Sequence, residues 1–128
     1  MVKRNILIAA LVLVIAGASW FGLKQYLNHT ACKERATAFA RRIESIKQDA
    51  HEQLKIGAKR DDVSRFFTKH EIPFAILESE ASGTFYTSGC APFGCGSDRA
   101  LIGVRVKLDG TGIVTGEPEV VNLYTDCL

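Results

Sequence analysis

Lys3 and Arg4 stand directly before an uncharged apolar run from Ile6 to Leu23, and no other stretch of the chain restricts its fold so strongly. About 18 residues, at about 1.5 Å of helical rise each, cross a hydrocarbon core of roughly 30 Å. A basic flank of this kind holds its end of the segment in the cytoplasm. Two readings compete. As an uncleaved anchor, the run carries Trp20 and Phe21 near its outer end, where aromatic side chains collect at membrane interfaces. As a signal peptide, it has an apolar region at Ile6–Ile15 followed by Ala16-Gly17-Ala18, the small residues a signal peptidase accepts. Lipid attachment at Cys32 is disfavoured, because that cysteine follows the polar stretch His29-Thr30-Ala31. The expected organisation is therefore a membrane anchor or signal at residues 1–24 and an exported domain at 25–128. With the anchor retained, this is a single-pass inner-membrane protein whose C-terminal domain is periplasmic or otherwise extracytoplasmic.

Charge agrees with that division. The chain has 16 Lys and Arg against 14 Asp and Glu. Setting aside Lys3 and Arg4 leaves 14 against 14, so the remainder is neutral and the excess of +2 belongs to the N-terminal flank. Nucleic-acid binding would call for a net basic face. The basic residues here occur at most in pairs such as Arg41-Arg42, so no nucleic-acid partner and no polybasic lipid site is expected. About 100 residues suffice for one domain with a modest core.

The periodicity gives the architecture. Cys32, Ala36, Phe39, Ile43, Ile46, Ala50 and Leu54 recur at steps of three or four, the stripe of an amphipathic helix that Gly57 is expected to stop. A shorter helix, about Arg60 to His70, would bury Val63, Phe66 and Phe67, with Asp61 and Asp62 favourably placed in its first turn and Pro73 beyond its end. The period then changes to two. Phe74–Glu78 and Thr84–Ser88 read as short strands. Leu101–Leu108 alternates, with Ile102, Val104, Val106 and Leu108 on one face. Asp109-Gly110-Thr111-Gly112 reads as a hairpin turn, and Ile113–Tyr124 as a returning strand, bulged or at an edge near Pro118. The predicted fold class is α+β: one N-terminal transmembrane helix, then two helices packed on a small antiparallel sheet in two layers.

Within this frame, the segment from Leu54 to Phe67 has a Gly that breaks the first helix, a charged turn, Val63 six residues after the Gly, and the apolar pair Phe66-Phe67. It resembles the helix–turn–helix signature of BamE-like (SmpA/OmlA) domains. The motif covers about 15 residues, while the likeness in architecture extends over Cys32–Tyr124. Lys59 departs from the family pattern at the helix-capping position, where Ser or Thr is usual and supplies a side-chain cap. The Cys-containing insert Gly89–Gly96 is a second departure. Such domains are small envelope proteins, among them assembly accessories and enzyme inhibitors, so the resemblance implies binding and not catalysis.

Four cysteines, Cys32, Cys90, Cys95 and Cys127, in an exported domain read as two disulfides. Ala91-Pro92-Phe93-Gly94 resembles a β-turn that would bring Cys90 opposite Cys95, leaving Cys32 for Cys127. That pairing is favoured. A rival follows from hairpin register: with Leu108 opposite Ile113 and a bulge at Pro118, Cys95 faces Cys127 and Cys32 takes Cys90. A metal site would need a second close Cys or His pair, and a redox site typically needs C-x-x-C, so neither is expected.

No other residue pattern makes an active site or a cofactor site. His29, His51 and His70 are scattered. Ser88, Ser97 and Asp98 have no His at triad spacing, and no phosphate-binding Gly loop occurs. The chain is expected to act without catalysis, as a membrane-tethered module that recognises another envelope protein. Its means would be the Cys-closed loop Gly89–Asp98 or strand addition at an exposed sheet edge. Pro92, Phe93 and Tyr86 are the candidate partner-binding residues, since interface hot spots favour large aromatics. Phe85 is assigned to the core. The alternatives are an inhibitor or immunity-type protein that inserts the Pro92-Phe93 tip into an enzyme cleft, and a thiol-disulfide oxidoreductase using an exposed Cys90.

Overall fold

In the computed structural model, residues 2–127 are described, and the side chains of residues 2–5 and 7 lie outside that description, the basic flank Lys3 and Arg4 included. The elements run α1 (Val2–Gln53), α2 (Arg60–Lys69), β1 (Phe74–Ile76), β2 (Glu80–Ser88), β3 (Arg99–Lys107) and β4 (Glu119–Tyr124). They form two compact units, residues 1–34 and 35–128. The fold is α+β, with one helix long and apolar enough to span a membrane and a four-stranded antiparallel sheet in the order β1-β2-β3-β4.

The transmembrane helix and the amphipathic helix from Cys32 to Leu54 were expected as separate elements, yet α1 is continuous from Val2 to Gln53. The reason is local. Lys24-Gln25-Tyr26-Leu27-Asn28-His29-Thr30-Ala31 is polar but contains neither Gly nor Pro, so the backbone has no cause to leave the helix. Thr30 Oγ1 donates back to the Leu27 carbonyl at 2.9 Å, a bond compatible with helix.

In the second unit the stripe reads as expected. Ile43, Ile46, Ala50 and Leu54 are buried, as are Val63, Phe66 and Phe67 of α2. They close on the inner face of the sheet, where Ala81, Ile102, Val104, Val106 and Leu108 complete the core. Phe66 and Phe67 meet edge to face at 5.5 Å, and Phe67 stacks on Phe74 at 4.9 Å. Between the helices, Ala58 N–H donates to the Lys55 carbonyl at 2.9 Å, with Gly57 at φ +95°, a conformation glycine adopts without steric cost. Lys59 supplies no side-chain cap to α2, but the Asp62 carboxylate accepts the Lys59 N–H at 3.0 Å. At the other end, Glu71 takes the left-handed conformation (φ 55°), and the Ile72 N–H reaches back to the Phe67 carbonyl at 3.0 Å, the bond of a Schellman stop.

Three strand expectations need correction. First, β2 begins at Glu80, four residues before the expected start. Within this extension Gly83 is tightly covered: a Cβ there would come within 2.7 Å of the Pro73 carbonyl and 2.8 Å of the Phe67 ring. Second, Leu108 pairs with Val114 and not with Ile113. Asp109 sets this turn by accepting the Thr111 and Ile113 N–H groups at 2.9 Å each. Those bonds, led by the one from Ile113, hold its carboxyl below the usual carboxylate range. Third, β4 spans only Glu119–Tyr124, because residues 113 and 114 turn toward the helix–helix connection. Gly57 N–H donates to the Val114 carbonyl, and Val114 N–H to the Ala58 carbonyl.

Candidate functional site

The end of the sheet where β2 gives way to β3 carries the loop from Gly89 to Asp98. Its neck is a backbone bond from Gly89 N–H to the Asp98 carbonyl at 2.9 Å. Asp98 uses both carboxylate oxygens: Oδ1 accepts the Ala91 N–H at 2.9 Å, and Oδ2 pairs with Arg35 Nη2 at 2.9 Å. Arg35, on α1, also donates through Nε to the Gly89 carbonyl at 3.2 Å. The Tyr124 hydroxyl, from β4, accepts the Cys90 N–H at 3.1 Å and donates to the Cys90 carbonyl at 3.0 Å. Its ring rests 5.9 Å from that of Phe39 on α1. Gly89 leaves room for this ring, since a Cβ would fall 2.5 Å from the Tyr124 hydroxyl oxygen and force the side chain to shift.

A covalent tie holds the far side of the loop. Cys95 is bonded to Cys127, and the two residues also form an isolated antiparallel bridge. Gly96 N–H donates to the Asp126 carbonyl at 2.8 Å, and the Ser97 hydroxyl donates to the Asp126 carboxylate. The favoured pairing of Cys90 with Cys95 and Cys32 with Cys127 is therefore overturned. The turn that suggested it is displaced by one residue. Cys95 N–H donates to the Pro92 carbonyl at 3.3 Å, so Pro92 opens the turn and Gly94, at φ +100°, takes its third position. Cys95 then points across to the C-terminal segment and not back to Cys90. The register argument named this partner, though from a Leu108–Ile113 pairing that the turn does not adopt. No cysteine among the described residues is free.

Of the candidate binding residues, Phe93 is at the loop tip with its side chain fully exposed (relative exposure 109%). Pro92 beside it is also exposed. Tyr86 is not part of the loop. It lies on the outer face of β2, half-covered by the Arg99 guanidinium, which stacks 4.0 Å from its ring centre. Phe85 packs against the core as assigned, with Arg42 4.5 Å over its ring.

Sequence reasoning missed the polar contacts that fasten the helices. Asp49 of α1 accepts from Lys69 Nζ at 2.6 Å and meets His70 Nε2 at 2.9 Å. His70 is thus a largely buried partner of Asp49 and not a solvated residue, with its ring 4.8 Å from Phe66. These partners lie 20 and 21 residues apart, and no local pattern announces them. Scans against protein-family models, curated proteins and solved structures return no match for the chain.

Proposed function

We propose that the chain is a membrane-tethered envelope protein that binds another protein through the Gly89–Asp98 loop, with no catalytic step. The observation that carries this reading is the pairing of a fully exposed Phe93 with a loop held at its neck by Tyr124, Asp98 and Arg35 and on its far side by Cys95–Cys127. An aromatic presented on a held loop tip is suited to fill a partner's pocket, and buried aromatics dominate interface energetics. The resemblance to BamE-like domains adds weight to binding over chemistry. The apolar helix, with the basic flank on its cytoplasmic side, would place the domain in the periplasm or its equivalent.

The same tip suits entry into an enzyme cleft, so the inhibitor or immunity-type role is a narrower form of this reading. The oxidoreductase alternative needs a reactive Cys90 thiol, and no cysteine among the described residues is free.

The test replaces Phe93 with a photo-reactive phenylalanine analogue in the full-length, membrane-bound protein. One discrete adduct is expected on illumination, and none from the same probe at Thr111 in the exposed turn. Phe93→Ala should leave the melting temperature unchanged while weakening capture of the adduct partner by about 2 kcal/mol, roughly thirtyfold. If Phe93→Ala instead lost its cooperative melt with the partner still captured, Phe93 would be structural and the loop reading would be abandoned.

A further inference from the structure

The two edges of the sheet are built differently. β1 is three residues long and preceded by Pro73, which donates no hydrogen bond, so that edge offers little to pair with. β4 is six residues long, and beyond Glu119 it carries no charge: Val120-Val121-Asn122-Leu123-Tyr124. Long uncharged edges are what isolated sheets avoid.

The backbone of β4 has a defined free side. Thr125 N–H donates to the Arg99 carbonyl, so by strand alternation Leu123, Val121 and Glu119 turn their backbone groups toward β3. The backbone groups of Val120, Asn122 and Tyr124 then point away from the sheet. On the outer face, Tyr86, Leu101 and Leu123 form one row across three strands, and Val121 is next to Leu123 along β4. Val121 and Leu123 remain 43% and 48% exposed, a pair of apolar side chains at the free edge.

We propose that β4 pairs antiparallel with β4 of a second copy of this chain, about a two-fold axis through Asn122, joining the two sheets into one. The register that places Asn122 opposite Asn122 of the second copy sets Val121 against Leu123, Leu123 against Val121, and Val120 against Tyr124. Each outer-face pair is then apolar on apolar. The two exposed Asn122 amides meet on the other face, where each has a donor and an acceptor for its counterpart. Glu119 falls opposite Thr125, so no like charges oppose, and Glu119 keeps its ion pair with Arg105 at 3.8 Å. The groups facing the edge in this register are Val120, Asn122 and Tyr124. They close three hydrogen-bonded pairs, or about six backbone bonds at two per pair. The same strand thus satisfies its own second copy in side chain, charge and backbone, as an isologous contact requires. This contact is separate from the loop reading and stands or falls without it.

The test uses the full-length chain in its membrane. No native cysteine among the described residues is free, so a cysteine introduced at 122 is the reactive thiol. Mild oxidation of Asn122→Cys should give a disulfide-linked species of twice the 14.0 kDa chain mass, with at least tenfold less from Thr111→Cys in the exposed turn. Asn122→Pro removes an edge-facing N–H without removing a bond to β3, and should lower the dimer fraction at least tenfold in quantitative amine crosslinking. If Asn122→Pro does not fold, Val121→Lys gives the same reading from an exposed position. Equal crosslinking from positions 122 and 111, linkage of Asn122→Cys to a different polypeptide, or a dimer that survives the Pro or Lys variant overturns the proposal.

Discussion

Two stretches of α1 share a backbone conformation and little else. Between Ile8 and Leu27 apolar side chains point in every direction and none is buried, with Leu13 and Trp20 both 73% exposed. Between Phe39 and Gln53 apolar residues keep to one face, and Ile46 is fully buried. The helix is one element, but its first stretch is long and apolar enough to span a membrane while the second carries a single buried stripe. In water, an all-round apolar surface gains nothing from helical order, whereas in hydrocarbon every backbone group is satisfied within the helix and every side chain is compatible with lipid. A single stripe instead needs a protein surface to close on, and α2 and the sheet supply it.

The largest effect should come from the partner of that stripe. Phe66→Ala is expected to lower unfolding free energy by about 3–5 kcal/mol, a large share of the roughly 5–15 kcal/mol typical of a domain. Thermal melts of the full-length protein in detergent read this loss, and the variant should still fractionate with membranes. Leu13→Arg is the opposite probe. It should cost about 2.5–3.5 kcal/mol of membrane insertion and move protein out of the membrane fraction while the domain keeps its melt. A Leu13→Arg protein that stayed fully membrane-bound would break the contrast between the two stretches.

Smaller effects test details of the folded part. Cys127→Ser opens a bridge spanning 32 residues and should destabilise by about 2–4 kcal/mol. Peptide mapping without reduction should return Cys95 joined to Cys127 and no free thiol. A Cys90–Cys95 peptide would contradict the loop geometry. Smallest of all, Glu71→Gly should raise stability by about 1 kcal/mol, because glycine takes the left-handed stop of α2 without the penalty a Cβ incurs. A lower melting temperature for that variant would mean that the Glu71 side chain contributes something its backbone conformation does not reveal.

The sequence was most legible where one period governed a whole element. Val63, Phe66 and Phe67 on α2, Ile102, Val104 and Val106 along β3, and Leu108 just beyond it were assigned to the core from spacing alone and are buried. It was least legible where two forces act on the same residues. The expected strand began only at Thr84, yet β2 already includes Gly83, which lacks a side chain where Pro73 and Phe67 crowd it. The continuity of α1 through residues 24–31 was not foreseen either, although polarity does not break a helix without Gly or Pro. In the loop, the exposure of Phe93 followed from its place in a Pro-Gly turn. Of the arms that hold the loop, Cys127 was offered only as the rival pairing from hairpin register, and Arg35 and Tyr124 did not follow at all, because they reach the loop from 54 and 34 residues away. Long-range partners leave no period to read.

If the loop binds a partner as proposed, the absent side chain at Gly89 has a consequence for affinity. Because the Tyr124 hydroxyl fits directly against that backbone, the strand that leads into the loop has little conformational freedom left to surrender. Ordering a mobile side chain or loop on association typically costs about 0.5–1.5 kcal/mol for each rotamer-rich group immobilised. Here much of that entropy is lost during folding, before any partner arrives. A single added methyl at position 89 would displace the tyrosine and return that freedom to the tip, so complexes should dissociate faster although no contacting atom had changed.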